Sequence, residues 1–342
     1  MATAPLTTVL IDTYNYGRFV EQAIESVLSQ DFPPQRLEVI VVDDGSTDDT
    51  AQRVSKYGSR IKYLQKQNGG QASAFNLGFA HASGDFIVLL DADDYFLPGK
   101  LRRVFEAFQS HPDVGMVYHR FPRMHAGEVL VPDVEFDSLS GFLRTDARKL
   151  SKYRAHQTSC LAFRRTVLQE IFPIPESMRI QADAYVEMTA VLMAPILAIE
   201  EDLALYRIHG KNLCAGDFQA ADREAATRLV ISSNTVRREV QRWIRAHRPR
   251  IGNVNTRRFV DGLIFLPLEQ QFRFDSPGRF RYFAFLVRRN YALGPTQARL
   301  YSALKYVVAL AALLVGYKKY LLVHAWCGKT MNAFRPLVGA RR

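Results

Sequence analysis

The amino-acid sequence predicts an α/β fold: a mostly parallel sheet with helices on both faces, followed by a basic helical C-terminal region. Three features predict it. Over the first 120 residues, short β-branched runs alternate with amphipathic stretches. The β-branched runs are apolar throughout instead of alternating, which marks strands buried on both faces. Beyond Leu150 the alternation stops, and helical spacing with an excess of Lys and Arg takes over.

The elements follow in order. TTVLID (Thr7–Asp12) is a strand, and FVEQAIESVLSQ (Phe19–Gln30) has helical apolar spacing. LEVIVVDD (Leu37–Asp44) is a strongly apolar strand, and DDTAQRVSKY (Asp48–Tyr57) reads as a helix that starts after Ser46-Thr47. IKYLQ (Ile61–Gln65) is a strand, QASAFNLGFAHA (Gln71–Ala82) a helix and FIVLLD (Phe86–Asp91) a strand. GKLRRVFEAFQSH (Gly99–His111) is a helix, and VGMVYH (Val114–His119) a fifth strand. Such alternation builds a sheet covered on both faces, and ligands bind outside the carboxyl ends of its strands. Asp12, Asp43-Asp44 and Asp91-Asp93 stand at three of those ends, so they are expected along one crevice. Asp91, Asp93 and Asp94 are crowded enough to repel one another unless a cation or a donor neutralises them. Asp48 and Asp49 are expected to serve the first turn of their helix.

Residues 153–215 are mixed, with LAFRRTVLQEIF, QADAYVEMTAVLM and ALYRIHGKN as recognisable segments. A long helical pattern runs from Asp217 to His247 and stops before Pro249, and more helix follows through Tyr291, broken at Pro267 and Pro277-Gly278. The expected division is a catalytic body over 1–215 and a helical basic region over 216–342. Charge separates along the chain as well. Residues 1–216 hold 22 Lys and Arg against 27 Asp and Glu, a net of −5, whereas 217–342 hold 23 against 7, a net of +16, giving +11 in all. The asymmetry points to an anionic partner, nucleic acid or membrane. The Arg residues are spread over helices with apolar faces and form no recognisable nucleic-acid motif, so the expected partner is anionic lipid, not nucleic acid. Within Tyr301–Trp326 the longest uncharged run, Tyr306–Tyr317, is 12 residues, short of the ~20 that span a bilayer. Flanking Lys and aromatic residues suit an interfacial segment; a core or dimer-packing helix is the other reading, and the oligomeric state stays open.

At 48% apolar and 23% charged residues, the 342-residue chain is not a disordered one. Three scattered cysteines (Cys160, Cys214, Cys327) without metal spacing suggest a reducing compartment. No basic segment followed by an apolar one marks the N-terminus as a secretory signal. The expected location is cytoplasmic, peripheral at the inner face of the plasma membrane.

TYN (Thr13–Asn15) after the first strand, VVDDGSTDDT (Val41–Thr50) after the second and DADD (Asp91–Asp94) after the fourth resemble family 2 glycosyltransferases over roughly residues 5–215. The resemblance implies a Rossmann-like GT-A fold and an inverting transfer from a nucleotide-diphosphate sugar to a cell-surface glycan or lipid-linked acceptor. The chemistry explains the residue types. A diphosphate leaving group gains negative charge as the glycosidic bond breaks, and a divalent cation stabilises that charge. Carboxylates suit hard Mg²⁺ or Mn²⁺. Asp93 is the expected metal ligand, with Asp91 on the ribose or a bound water and Asp94 in support.

The resemblance further places Thr13, Tyr14, Asn15, Asp43, Asp44, Asp91 and Ala92 around the nucleotide, where Tyr14 offers an aromatic face and Gly45 permits a tight turn. It also implicates Gly70, Gln71 and Asn76, and the Gly69-Gly70 pair could direct backbone N–H groups at the diphosphate. Many relatives carry an Arg beside the Asn of this helix; Phe75 stands there instead. The general base that takes the acceptor proton matches QADAY, so Asp183 is the candidate, with Ala182 in place of the usual Glu and Glu187 as the fallback. In LYRIHGKN, His209 is expected to complete the metal shell or touch the diphosphate, and Arg207 to be structural or a secondary phosphate contact. Two alternatives remain: nucleotidyl transfer onto a sugar phosphate, and a non-catalytic GT-A scaffold whose basic half binds anions.

Overall fold

The computed structural model describes residues 6–125, 127–130, 138–209 and 212, most of 223–293, and Leu310. The predicted alternation is present. Strands β1 (Thr7–Thr13), β2 (Leu37–Asp43), β3 (Lys62–Gln65) and β4 (Phe86–Asp91) are joined by helices α1 (Gly17–Leu28), α2 (Thr50–Ser55) and α3 (Gln71–His81). The short β5 (Tyr95–Phe96), helix α4 (Lys100–Ser110) and β6 (Met116–Arg120) follow, then a hairpin of β7 (Arg123–His125) and β8 (Glu128–Leu130). Next come α5 (Ala147–Lys152), β9 (Leu161–Arg164), α6 (Arg165–Leu168), α7 (Ala182–Met193), β10 (Ile196–Asp202) and β11 (Ala204–Ile208). The basic half contributes α8 (Arg223–Ala246), α9 (Arg248–Ile251), α10 (Arg257–Asp261) and α11 (Arg279–Leu293).

The main sheet has the order β10-β6-β9-β4-β1-β2-β3. The pairs β1–β2, β1–β4, β2–β3 and β6–β10 are parallel, whereas β9 pairs antiparallel with both β4 and β6. The chain builds β2 and β3 on one side of β1 and returns to place β4 on the other. That reversal opens the sheet between the carboxyl ends of β1 and β4. A small second sheet, β5-β11-β7-β8, stands beside this opening.

The apolar strands fill two cores. Leu10, Ile40, Val42, Ile87 and Leu89 face the side covered by Ala72 and Phe75 of α3 and Val186 and Ala190 of α7. Val9, Ile11, Val39, Val41, Val88 and Leu90 face Val20, Ile24 and Val27 of α1 and Leu101 and Val104 of α4. Alternate residues of one strand enter opposite cores, which is why the strands read as unbroken apolar runs; each such side chain contributes roughly 1.5–3 kcal/mol. Val236, Val240 and Trp243 of α8 belong to the same core as α7. Among the described residues no helix is long and apolar enough to cross a membrane. The segment expected at an interface, 301–326, lies outside the described residues except for Leu310.

The antiparallel β9 is not predicted by the alternation. Its four residues are too short to carry a period, and it lies between β4 and β6 in the sheet.

Candidate functional site

Strand register brings the first carboxylates together. Parallel pairing sets Asp12 of β1 beside Asp91 of β4 and Thr13 beside Asp43 of β2. Past β4 the chain turns tightly, with the Asp94 N–H donating to Asp91 O at 3.0 Å. One carboxylate oxygen each from Asp91, Asp93 and Asp94 then lies within 4.8 Å of the others. Burial, then the charges of Asp12 and Asp93, push the Asp91 carboxyl well above its usual range. Burial pushes Asp12 up to about 7, against a hydrogen bond with Asp91 that lowers it and the Asp183 and Asp93 charges that raise it. Asp12 Oδ1 is buried without a hydrogen-bond partner. Hard oxygen donors this crowded and this poorly neutralised fit a divalent cation such as Mg²⁺ or Mn²⁺.

The members of the cluster are not equivalent. Asp94 is fully buried, with Oδ2 accepting from Ser159 Oγ at 2.6 Å and Oδ1 from the Arg207 N–H at 2.9 Å, so it supports the turn. Asp93 Oδ2 lies 2.9 Å from His209 Nε2 and 3.4 Å from Asn212 Nδ2. The Tyr16 hydroxyl hydrogen-bonds Asp93, and burial first, the Asp93 charge second, hold it above the usual tyrosine range. Arg207 donates from Nε to Asp93 O at 2.9 Å and packs over the rings of Phe19 and Tyr95. Asp93 and His209 are thus adjacent, as expected, although 116 residues separate them.

The nucleotide-side candidates divide. Thr13 is buried with its Oγ1 unpartnered, Tyr14 is exposed, and Ala92 is buried with its N–H on Asp12 O. Asn15 joins the loops after β1 and β2: its N–H donates to Ser46 Oγ at 2.8 Å and its Oδ1 accepts from the Thr47 N–H at 2.8 Å. Asp43 accepts from the Ser46 N–H at 2.7 Å and from Tyr63 Oη at 2.6 Å. Asp44 accepts from Lys66 Nζ and the Gly69 N–H, both at 2.9 Å, and from the Gly70 N–H at 2.7 Å. The expectation that the Gly69 and Gly70 N–H groups face a diphosphate is therefore corrected: they hold Asp44. Gly70 itself is required, because φ is +88° and a Cβ there would come within 2.5 Å of Arg179 Cα. Asn76 binds the backbone of Ile174 through both ends of its amide, at 2.7 and 2.9 Å, so it anchors the segment before α7.

The base candidates separate clearly. Gln71 Oε1 accepts the Ala182 N–H at 2.9 Å and so fastens the start of α7 to α3. Asp183, in the first turn, accepts from Thr158 Oγ1 at 2.9 Å; burial pushes its carboxyl up to about 6, with the Ala184 N–H and Thr158 opposing. Its charge acts on both Asp12 and Asp91. Glu187 points the other way. It is 0% exposed and accepts from Tyr153 Oη at 2.5 Å and the His156 N–H at 2.7 Å, with His156 Nδ1 at 2.6 Å. One turn of helix separates a carboxylate in the crevice from one in the core.

Several contributors escaped the sequence reading. Thr158 and Ser159 stand just before β9 and reach Asp183 and Asp94, respectively. Beneath them Lys100, fully buried and pushed down to about 7 by that burial, donates from Nζ to Ser159 O at 2.5 Å and lies 3.6 Å from the centre of the Phe96 ring. Nothing in the GKLRRVFEAFQSH pattern marks Lys100 as buried. Tyr16, two residues past the candidate Tyr14, differed from it in nothing the sequence displays.

Acidic turns at the carboxyl ends of a mostly parallel sheet, with a smaller sheet beside them, define the GT-A class of fold. Residues 8–172 match the family model described as Glycosyl transferase family 2. The uncharacterized glycosyltransferase alr2836 of Nostoc sp. is 37% identical over 216 residues, 60% of this chain and 65% of that protein. The uncharacterized glycosyltransferase RP339 of Rickettsia prowazekii is 39% identical over 98 residues, so the chain spans only 30% of that relative. Among solved structures, Staphylococcus aureus TarS 1-349 in complex with UDP-GlcNAc aligns at TM-score 0.59 and 20% identity, over 90% of each chain. The mannosyltransferase PcManGT from Pyrobaculum calidifontis, in complex with GDP-Man and Mn²⁺, aligns at TM-score 0.56 and 19% identity, over 98% of this chain and 82% of its own.

Proposed function

We propose that the protein is an inverting glycosyltransferase that moves a sugar from a nucleotide-diphosphate sugar to a hydroxyl of a glycan or lipid-linked acceptor. The observation that carries this reading is the pairing of Asp183 with the acidic cluster. A carboxylate with a pKa of about 6 is ionised at neutral pH and still basic enough to accept a proton. Its neighbours Asp91 and Asp93 are suited, with His209, to hold a divalent cation that would stabilise the diphosphate as it departs. The acceptor oxygen attacks the anomeric carbon and the bond from that carbon to the diphosphate oxygen breaks with its electron pair. The acceptor proton passes to an Asp183 carboxylate oxygen. Thr158 and the Ala184 N–H keep that carboxylate ionised until the step occurs.

Two solved structures of similar fold favour a nucleotide-sugar donor by what they hold, UDP-GlcNAc in one and GDP-Man in the other. The test uses UDP, GDP and dTDP with and without Mn²⁺, together with sugar transfer by the wild type and Asp183→Asn. The expected result is one preferred nucleotide, metal-dependent binding retained in Asp183→Asn, and transfer reduced at least a hundredfold. Absence of nucleoside diphosphate binding under every condition would refute the reading. The +16 charge of residues 217–342 further suggests docking to anionic lipid at the inner face of the plasma membrane. Salt-sensitive binding to anionic but not neutral liposomes is the expected result, and equal binding to duplex DNA would contradict it.

A further inference from the structure

The proposed donor brings a diphosphate to Asp93, and the structure withdraws most of the groups that would neutralise it. Phe75 occupies the helix position where many relatives carry an arginine, and it is 1% exposed, packed in the core with Leu10 and Ile87. The Gly69 and Gly70 N–H groups are bound to Asp44, as is Lys66. Arg179 donates to Asn68 Oδ1, and Arg207 to Asp93 O and Gln22 Oε1. Each of these cations already serves a protein oxygen.

Arg18 is placed differently. It is exposed at the start of α1, on the wall of a pocket of about 410 Å³ that His125, Arg207 and His209 also line. Its guanidinium carbon lies 4.3 Å from the centre of the Phe19 ring, which orients the planar group. Its Nη2 is 3.2 Å from His209 Nδ1, while Nε2 of the same imidazole is 2.9 Å from Asp93 Oδ2. A guanidinium only donates, so Nδ1 accepts from Arg18 and Nε2–H donates to Asp93. The arginine is therefore one imidazole away from the expected metal ligand, and a neutral ring nitrogen is a weaker acceptor than an anionic phosphate oxygen. The fork of a guanidinium also matches phosphate oxygens better than any point charge.

We propose that Arg18 is the residue that neutralises the donor diphosphate, turning from His209 to the phosphate oxygens when the nucleotide sugar binds. The assignment rests on the nucleotide-sugar reading above. It makes α1 a donor-binding element and explains how a chain with Phe75 in the third helix can still hold a doubly charged leaving group.

The test compares wild type, Arg18→Ala and Arg18→Lys by calorimetry, titrating UDP, GDP and dTDP and the matching nucleosides, each with Mn²⁺ and in EDTA. Removal of a hydrogen-bonded charge should weaken the preferred diphosphate about ten- to hundredfold. The nucleoside, which has no phosphate, should bind Arg18→Ala and wild type alike. Arg18→Lys should recover part of the loss, and in EDTA the wild type's preference for diphosphate over nucleoside should vanish in Arg18→Ala. Unchanged diphosphate affinity in Arg18→Ala would overturn the inference and leave the donor reading intact. Equal loss of nucleoside and diphosphate would also overturn it, since that marks a damaged fold. If wild type bound no nucleoside diphosphate, the donor reading would fail and this assignment with it.

Discussion

Thr158→Val replaces a hydroxyl by a methyl of the same shape and removes the 2.9 Å hydrogen bond to Asp183 Oδ2. That bond favours the ionised carboxylate, so its loss raises the pKa. A hydrogen bond to a charged group contributes roughly 1.5–3 kcal/mol, and a pKa unit corresponds to about 1.4 kcal/mol. Asp183 faces the crevice and keeps the Ala184 N–H, so the lower end applies and the pKa should move from about 6 to roughly 7. The base must be ionised to accept a proton, hence the acidic limb of the kcat/KM profile should move up by about one unit. Ionisation, and activity with it, should fall about fivefold at pH 6 and hardly at all at pH 8.5. The assay is initial-rate sugar transfer across pH 5–9. A limb that stays in place, or a loss of the same size at every pH, would show that Asp183 is not the titrating base and that the argument from Thr158 is wrong.

Further outcomes follow from the same contacts. Asp93→Asn should abolish the Mn²⁺-dependent part of nucleotide binding while leaving the melting temperature within a few degrees, as calorimetry and thermal unfolding will show. Burial raises the Asp12 carboxyl from 3.8 to about 7 and Asp91 in the same direction. The folded metal-free protein therefore holds protons that the unfolded chain has released, and its stability should fall as pH rises from about 4 through 7. Added Mn²⁺ should restore the melting temperature at pH 8 more than at pH 5. Glu187→Ala strands Tyr153 Oη and the His156 N–H in the core and should cost roughly 3 kcal/mol in urea unfolding, without the pH-profile change expected of a base. Asp44→Ala releases three donors from the 66–70 loop; its stability loss of roughly 2–4 kcal/mol should accompany weaker nucleotide binding.

The sequence by itself determined the layered sheet and the position of the crevice. Apolar strands buried on both faces, amphipathic helices between them and carboxylates at three strand ends are local patterns, each confined to a dozen residues. Because parallel strands carry their C-terminal ends to one side, those patterns alone imply that Asp12, Asp43 and Asp91 converge. Which side chain serves the crevice and which serves the frame was decided by contacts between distant segments. Asp43 and Asp44 are neighbours in an acidic loop, yet Asp44 is claimed by donors from 66–70. Asp183 and Glu187 share one helix, and only the packing of α7 against Tyr153 and His156 turns the second inward. The antiparallel insertion of β9 brings Thr158 and Ser159 to carboxylates that precede or follow them by 25 and 65 residues. Arg18 meets His209 across 191 residues. A periodic pattern records which face of a strand or helix is buried, but a hydrogen bond between loops depends on where each loop is carried, and that is known only once the chain has closed on itself.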